Sequence, residues 1–227
     1  MELSGLLRLF RCALLIVLCL PTAPLCAQLT PTLVGGTGAN RLVGAGAGID
    51  PRIGMSNYVG VHITLGNRER TLSFRPTLNY AWGYYRTRVT DLVDHRTMRS
   101  ALQLDLLLAI RAGEYGAWVL GPFGGAVLSS SGTFNRIGGG NVPAFGQQAG
   151  NVATSQAGVV LGYSVQLGTS GRWDMDLRAR QHLVGLVWTD HHYTVSNGPQ
   201  ELLMTATARA LELTVGLGWR IGSGEAR

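Results

Sequence analysis

Leu211-Glu212-Leu213-Thr214-Val215-Gly216-Leu217-Gly218-Trp219-Arg220-Ile221 reads as a strand with two unlike faces. Leu211, Leu213, Val215, Leu217, Trp219 and Ile221 share one face; Glu212, Thr214, Gly216, Gly218 and Arg220 share the other. Successive side chains of a strand point to opposite sides, so this period of two gathers every bulky apolar group on one surface. An aromatic residue stands near the end of the strand, and little follows it.

The composition narrows what such a strand belongs to. The chain has 227 residues, enough for one domain of ordinary size. Hydrophobic residues make up 46% and charged residues only 14%, where soluble domains carry about 25%. All 19 basic residues are arginine, so lysine, the common residue of soluble surfaces and edge strands, is absent. The net charge of +6 comes without a basic run or an aromatic–basic cluster, which argues against nucleic acid as a partner.

The N-terminus has the secretory pattern. Arg8 and Arg11 precede an apolar run from Cys12 to Leu20, Pro21 breaks it, and Ala27 offers a small residue for cleavage. The expected division is a signal peptide over 1–27, a periplasmic lead-in over 28–40, a barrel over 41–222 and a tail over 223–227. All three cysteines (Cys12, Cys19 and Cys26) fall in the signal segment. The remainder therefore excludes a disulfide framework and any cysteine-ligated metal. No later stretch is apolar enough for a transmembrane helix, so a membrane-spanning form must be a closed barrel.

Eight segments show strand character: Arg41–Ile49, Tyr58–Gly66, Thr71–Tyr85, Thr97–Ala112, Ala117–Leu128, Gln156–Gly168, Arg172–Trp188 and Ala206–Ile221. In Thr97–Ala112 the leucines alone would permit a helix, but Leu102, Leu104, Leu106, Leu108 and Ile110 keep a strict period of two. Ala117–Leu128 alternates poorly, and Pro122 with Gly124 and Gly125 predicts a bend or bulge there. A change of parity near Val184 predicts another. Short connections (Asn67–Arg70, Gly113–Gly116, Thr169–Gly171) alternate with longer ones (Asp50–Asn57, Arg86–Arg96, Ser129–Ala153, Thr189–Leu203). Transmembrane barrels have tight periplasmic turns and longer extracellular loops.

Alternation alone does not say which face points inward. Sparse charge, a non-apolar face rich in glycine, serine and threonine, and strands long enough to cross a bilayer when tilted favour apolar residues outward. The predicted fold is an all-β, eight-stranded antiparallel up-and-down transmembrane barrel. Its interior would hold Arg75, Arg99, Asp105, Arg111, Asp174, Asp176, Arg178, Arg180, Glu212 and Arg220. So narrow a barrel is filled by side chains, and charges within it must pair. Trp173 and Trp219 would sit near the periplasmic rim and Trp82 and Tyr84 near the outer rim, as an aromatic girdle.

With the signal segment ending Cys26-Ala27-Gln28, the eight alternating strands and the final Val215-Gly216-Leu217-Gly218-Trp219-Arg220-Ile221, the chain resembles the small bacterial outer-membrane β-barrel domain families, including the PorT-like group. The resemblance spans about 41–222 and concerns architecture. It implies a bacterial outer-membrane location, contact with outer-membrane lipid and lipopolysaccharide, recognition of the last strand by the barrel-assembly machinery, and envelope protein partners reached through the loops.

A catalytic alternative rests on Asp190-His191-His192-Tyr193-Thr194-Val195-Ser196-Asn197. A small barrel that deacylates lipid A uses histidine and serine, and a serine nucleophile needs a base within hydrogen-bond reach. His192 and Ser196 stand four apart in a loop segment, so a polar extracellular loop is the plainer reading, and no enzyme activity is expected. Adjacent His191 and His192 with Asp190 lack the further ligands a metal needs. Gly35-Gly36-Thr37-Gly38 lacks the spacing, helix and acidic partner of a nucleotide loop. No cofactor is expected.

Overall fold

The computed structural model describes residues 30–43, 50–65, 71–90, 93–136, 154–168, 171–184, 186–194 and 201–221. The strands are β1 (Thr30–Val43), β2 (Asp50–Thr64), β3 (Leu72–Thr90), β4 (Val93–Ala112), β5 (Gly116–Arg136), β6 (Ser155–Leu167), β7 (Trp173–His182), β8 (Leu186–Thr194) and β9 (Glu201–Arg220). Each pairs antiparallel with its neighbour, and β1 pairs with β9 as well as β2, which closes the sheet. β7 and β8 pair with successive stretches of β9 and together make one barrel strand. The result is an eight-stranded closed antiparallel barrel.

The last strand shows how the barrel is turned. Leu213 and Leu217 are each 53% exposed, whereas Thr214 and Glu212, on either side of Leu213, are 1% and 5% exposed. The same holds on β3, where Leu78, Tyr80 and Trp82 face out and Thr77 and Asn79 are buried. Apolar side chains are outside and polar ones inside, the reverse of a soluble barrel. In water such a surface would cost about 25 cal/mol per Å² of exposed apolar area; in hydrocarbon it costs nothing. At about 3.3 Å per residue and a tilt of about 40°, the outward apolar run of β9 rises about 25 Å, the height of the lipid-facing band of outer-membrane barrels.

Several boundaries differ from the sequence reading. The segment expected as a lead-in is strand from Thr30 onward, paired Thr30 to Thr64 and Thr32 to Arg220. Closure requires this, because β1 must run the full height between β2 and β9. Residues 44–49, expected at the end of the first strand, lie outside the described residues, as do 1–29 with the signal segment and 222–227 with the tail.

Two expected long connections prove to be ladder over much of their length. Asp50–Arg52 and Met55–Asn57 pair with β3, and Arg86–Arg88 pairs with Asp94–Arg96. Hairpins at that end continue past the apolar band because backbone pairing needs no lipid-facing side chain. Between Ser129 and Ala153, β5 likewise continues to Arg136, and β8 and β9 pair through Thr194 and Glu201.

The bulge expected at Pro122 lies instead at Leu128, between the pairs Ala101–Val127 and Ser100–Ser129. Pro122 keeps its place opposite Val159 without a register change. A proline removes a donor without necessarily inserting a residue. Near Val184 the irregularity is present: Gln181 pairs with Leu211 and Leu186 with Ala208, so the β7–β8 side is two residues longer.

Candidate functional site

Charged side chains converge in the barrel interior. Asp105 on β4 is fully buried and sits at the centre. Its Oδ2 accepts from Arg180 Nη2 at 2.7 Å, Asn79 Nδ2 at 3.0 Å and Arg178 Nη1 at 3.4 Å. Arg178 also donates to Asp176 at 2.7 Å. Both arginines come from β7, three strands away from β4 around the barrel, so these bonds cross the lumen. Tyr58 lies against them, with its ring 5.3 Å from the Arg180 guanidinium and 5.7 Å from that of Arg178.

Two further braces cross the interior. The Tyr85 hydroxyl on β3 donates to Glu212 Oε1 on β9 at 2.8 Å, and His182 Nε2 lies 3.2 Å from the same oxygen. Arg75 on β3 donates to the Ser164 hydroxyl on β6 at 3.2 Å. At the turn end, Arg220 holds Asp174 with two bonds, 2.6 Å from Nη2 and 3.3 Å from Nε. Bidentate guanidinium–carboxylate pairs are the strongest of these contacts.

Arg99 is 7% exposed and adjoins a small cavity of about 20 Å³, shared with Gln103, Gln156 and Arg180. Arg111 differs from the rest. It is exposed at the turn-end mouth, where Nε donates to the Gly113 carbonyl, because β4 ends at Ala112. It lines a second cavity of about 70 Å³ with Arg75, Glu114, Asp174 and Arg220. Both cavities are large enough to hold water.

Sequence reasoning missed part of this interior. His62 and His182, expected from the sequence as luminal polar residues, are buried in it, but His95 and Asn79, also buried, were not singled out, nor were Tyr58 and Tyr85, which point inward among residues of the network. Tyr58 and Tyr85 carried a signal: each falls on the inward parity of its strand. The lumen also has an apolar side, where Leu107, Ala109, Ala117, Val119, Phe123 and Val160 pack from β4, β5 and β6. This explains the poor alternation of β5, which is apolar on both faces over that stretch.

Of the girdle residues, Trp82, Trp173 and Trp219 are exposed outward, and Trp173 pairs with Trp219 at the turn end. Tyr84 is partly covered by the Arg96 guanidinium, 3.7 Å from its ring centre. Trp118 and Tyr163, in edge contact at 4.9 Å, stand at the same end as Trp173 and were not singled out by the sequence. His192 pairs with Leu203 in the β8–β9 ladder, and Ser196 lies outside the described residues. Among the described residues no three histidine, aspartate or glutamate side chains gather as a metal set.

No protein-family model matches the chain, and no curated protein does either. Solved structures resemble it in outline. Neisserial surface protein A is 13% identical with a TM-score of 0.48, covering 84% of this chain and 97% of its own. Ail, the attachment invasion locus protein of Yersinia pestis, is 11% identical with a TM-score of 0.40, over 85% of this chain and 99% of its own. The outer membrane protein AlkL, determined in DMPC bilayers, is 11% identical with a TM-score of 0.40, over 88% and 93%. At these identities and scores, the reading of the chain rests on its own geometry.

Proposed function

We propose that this is a small bacterial outer-membrane barrel with a filled lumen and a structural or interaction role, not a catalytic one. The inverted burial carries the reading: a closed barrel with an apolar outside and a cross-braced polar inside suits a bilayer, and its described lumen is filled by side chains. With both termini in the periplasm, the strand ends at Val43, Thr90, Arg136 and Thr194 lie at the outer side, and residues 137–153, which follow Arg136, are the stretch proposed to meet an envelope partner. The resemblance of Val215–Ile221 to the PorT-like group supports a place in a secretion or envelope assembly. It also supports export through a cleaved signal peptide and insertion by the barrel-assembly machinery through the last strand. Cross-linking in intact cells through residues placed in 137–153 tests the interaction role; specific capture of an envelope protein supports it, and labelling of lipid alone contradicts it.

The catalytic alternative is lipid A modification by His192 and Ser196, of which Ser196 lies outside the described residues. Mass spectrometry of lipid A from cells with and without the protein separates the two. An unchanged acylation pattern is expected, and a lost or added acyl chain restored by the wild type but not by His192→Ala would establish the enzyme.

A further inference from the structure

One side of the barrel carries an outward-facing arginine patch just beyond the apolar band. It consists of Arg209 on β9, Arg41 on β1, Arg52 on β2, Arg86 and Arg88 on β3, and Arg96 on β4. These strands are consecutive around the barrel, and the arginines fall in two ladder groups, Arg41 with Arg209 and Arg52 with Arg86 and Arg96, on either side of the β1–β2 ladder end at Asn40–Gly54. Arg41 pairs with Leu211, Val43 with Arg209, and Arg52, Arg86 and Arg96 form one row. Arg86 continues the outward face of Leu78, Tyr80 and Trp82. Arg52 joins that face because a register shift between Arg52 and Met55 changes the parity of β2.

The patch holds more positive charge than its own carboxylates neutralise. Arg52 meets Asp50 at 2.6 Å, while Arg86 and Arg88 meet the single Asp94 at 2.7 and 3.6 Å. Among the described residues, six arginines thus face two carboxylates. The other side of the barrel is different: beyond its own apolar run β5 presents Ser129, Ser131 and Thr133, and β7 presents Gln181 and Leu183. Among the described residues, the outward-facing charge at the end bearing the longer connections lies on this side.

The position identifies the occupant. The apolar run of β3 from Leu72 to Trp82 rises about 25 Å on the same pitch and tilt as β9, which puts Trp82 at the hydrocarbon boundary and Arg86 at headgroup depth. Tryptophan and tyrosine mark that boundary in membrane proteins, and Arg96 stacked on Tyr84 is held there by a cation–π contact. Guanidinium forks match phosphate oxygens two at a time, and clustered basic residues beside a bilayer bind anionic headgroups. We propose that this patch binds the phosphate groups of a phosphorylated lipid in the leaflet facing the longer connections, the chemistry of lipid A. The protein then orders lipid on the β9–β4 side and leaves the opposite side free for other contacts. This inference rests on the outer-membrane reading above.

Native mass spectrometry of the purified barrel tests it, with bisphosphorylated lipid A, chemically dephosphorylated lipid A and inorganic phosphate as separate probes. The expected result is at least tenfold greater retention of the bisphosphorylated lipid, lost in an Arg41→Gln/Arg86→Gln/Arg209→Gln variant and kept in Arg172→Gln at the opposite end. Equal retention of the two lipids by the wild type overturns the proposal without reference to any variant. Equal retention by the triple variant overturns it as well. Displacement of the lipid by inorganic phosphate alone assigns the patch to a soluble anion. Heat-dependent gel mobility reports separately whether the barrel inserts and folds in bilayers, so failure of the membrane reading is distinct from failure of the lipid assignment.

Discussion

Asp105 is the residue on which the interior depends most. It is fully buried and takes hydrogen bonds from Asn79, Arg178 and Arg180 through one oxygen. Removing one partner of a buried pair leaves an uncompensated charge and costs about 3–5 kcal/mol. Asp105→Ala is therefore expected to lower the unfolding free energy extrapolated from a urea titration by that order, with folded and unfolded forms separated by gel mobility. Arg180→Ala should cost a similar amount, and the double variant less than the sum, because each change already breaks the shared contact. Additive losses would show that the two residues do not act together. The sequence made the inward set legible through parity, since a period of two assigns a face. It could not give partners, which depend on height and on strands far apart in the chain. Arg111 shows the limit: it has inward parity, yet it stands one residue from the strand end and opens to solvent.

At the scale of elements, β1 is the instructive strand. Its glycines made it read as a lead-in, whereas one of them has a packing role. A Cβ on Gly36 would meet the Tyr58 ring, and a Cβ on Gly216 of β9 would meet the Tyr58 hydroxyl. Glycine on both strands makes room for an aromatic side chain in a narrow lumen. Gly216→Val is expected to destabilise the barrel by about 1–3 kcal/mol through overpacking. Pairing it with Tyr58→Ala should recover part of that loss in the same urea titration; no recovery would mean that Tyr58 is not what the glycine accommodates. The clear alternation of β3, β6 and β9 was readable because each has one apolar and one polar face. β5 was not, because its inward residues Val119 and Phe123 are apolar too. The hairpin extensions were also hidden, since beyond the apolar band the pattern that marks a strand disappears while the backbone pairing continues.

For the whole molecule, antiparallel order and the turning of the faces follow from features present in the sequence, alternation and sparse charge, whereas the expected sorting into short and long connections does not hold at Arg86–Arg96, where β3 and β4 leave only 91–92 between them. The packed interior predicts how the barrel conducts. Purified protein in planar bilayers should give no large, stable channel currents, and such currents would show that the cross-lumen braces do not persist in a membrane. The central claim, an inverted barrel standing in lipid, has a direct test because no cysteine follows Cys26. Single cysteines placed in turn at Leu211 to Ile221 can carry a nitroxide label in the barrel reconstituted into bilayers. Spectral relaxation by oxygen, which concentrates in hydrocarbon, and by a water-soluble nickel chelate then reports the surroundings of each position. The account predicts high oxygen and low nickel accessibility at Leu213, Val215 and Leu217, with both low at Thr214, and so a period of two along the strand. High nickel accessibility at Leu213, Val215 and Leu217 would place that face in water and contradict it.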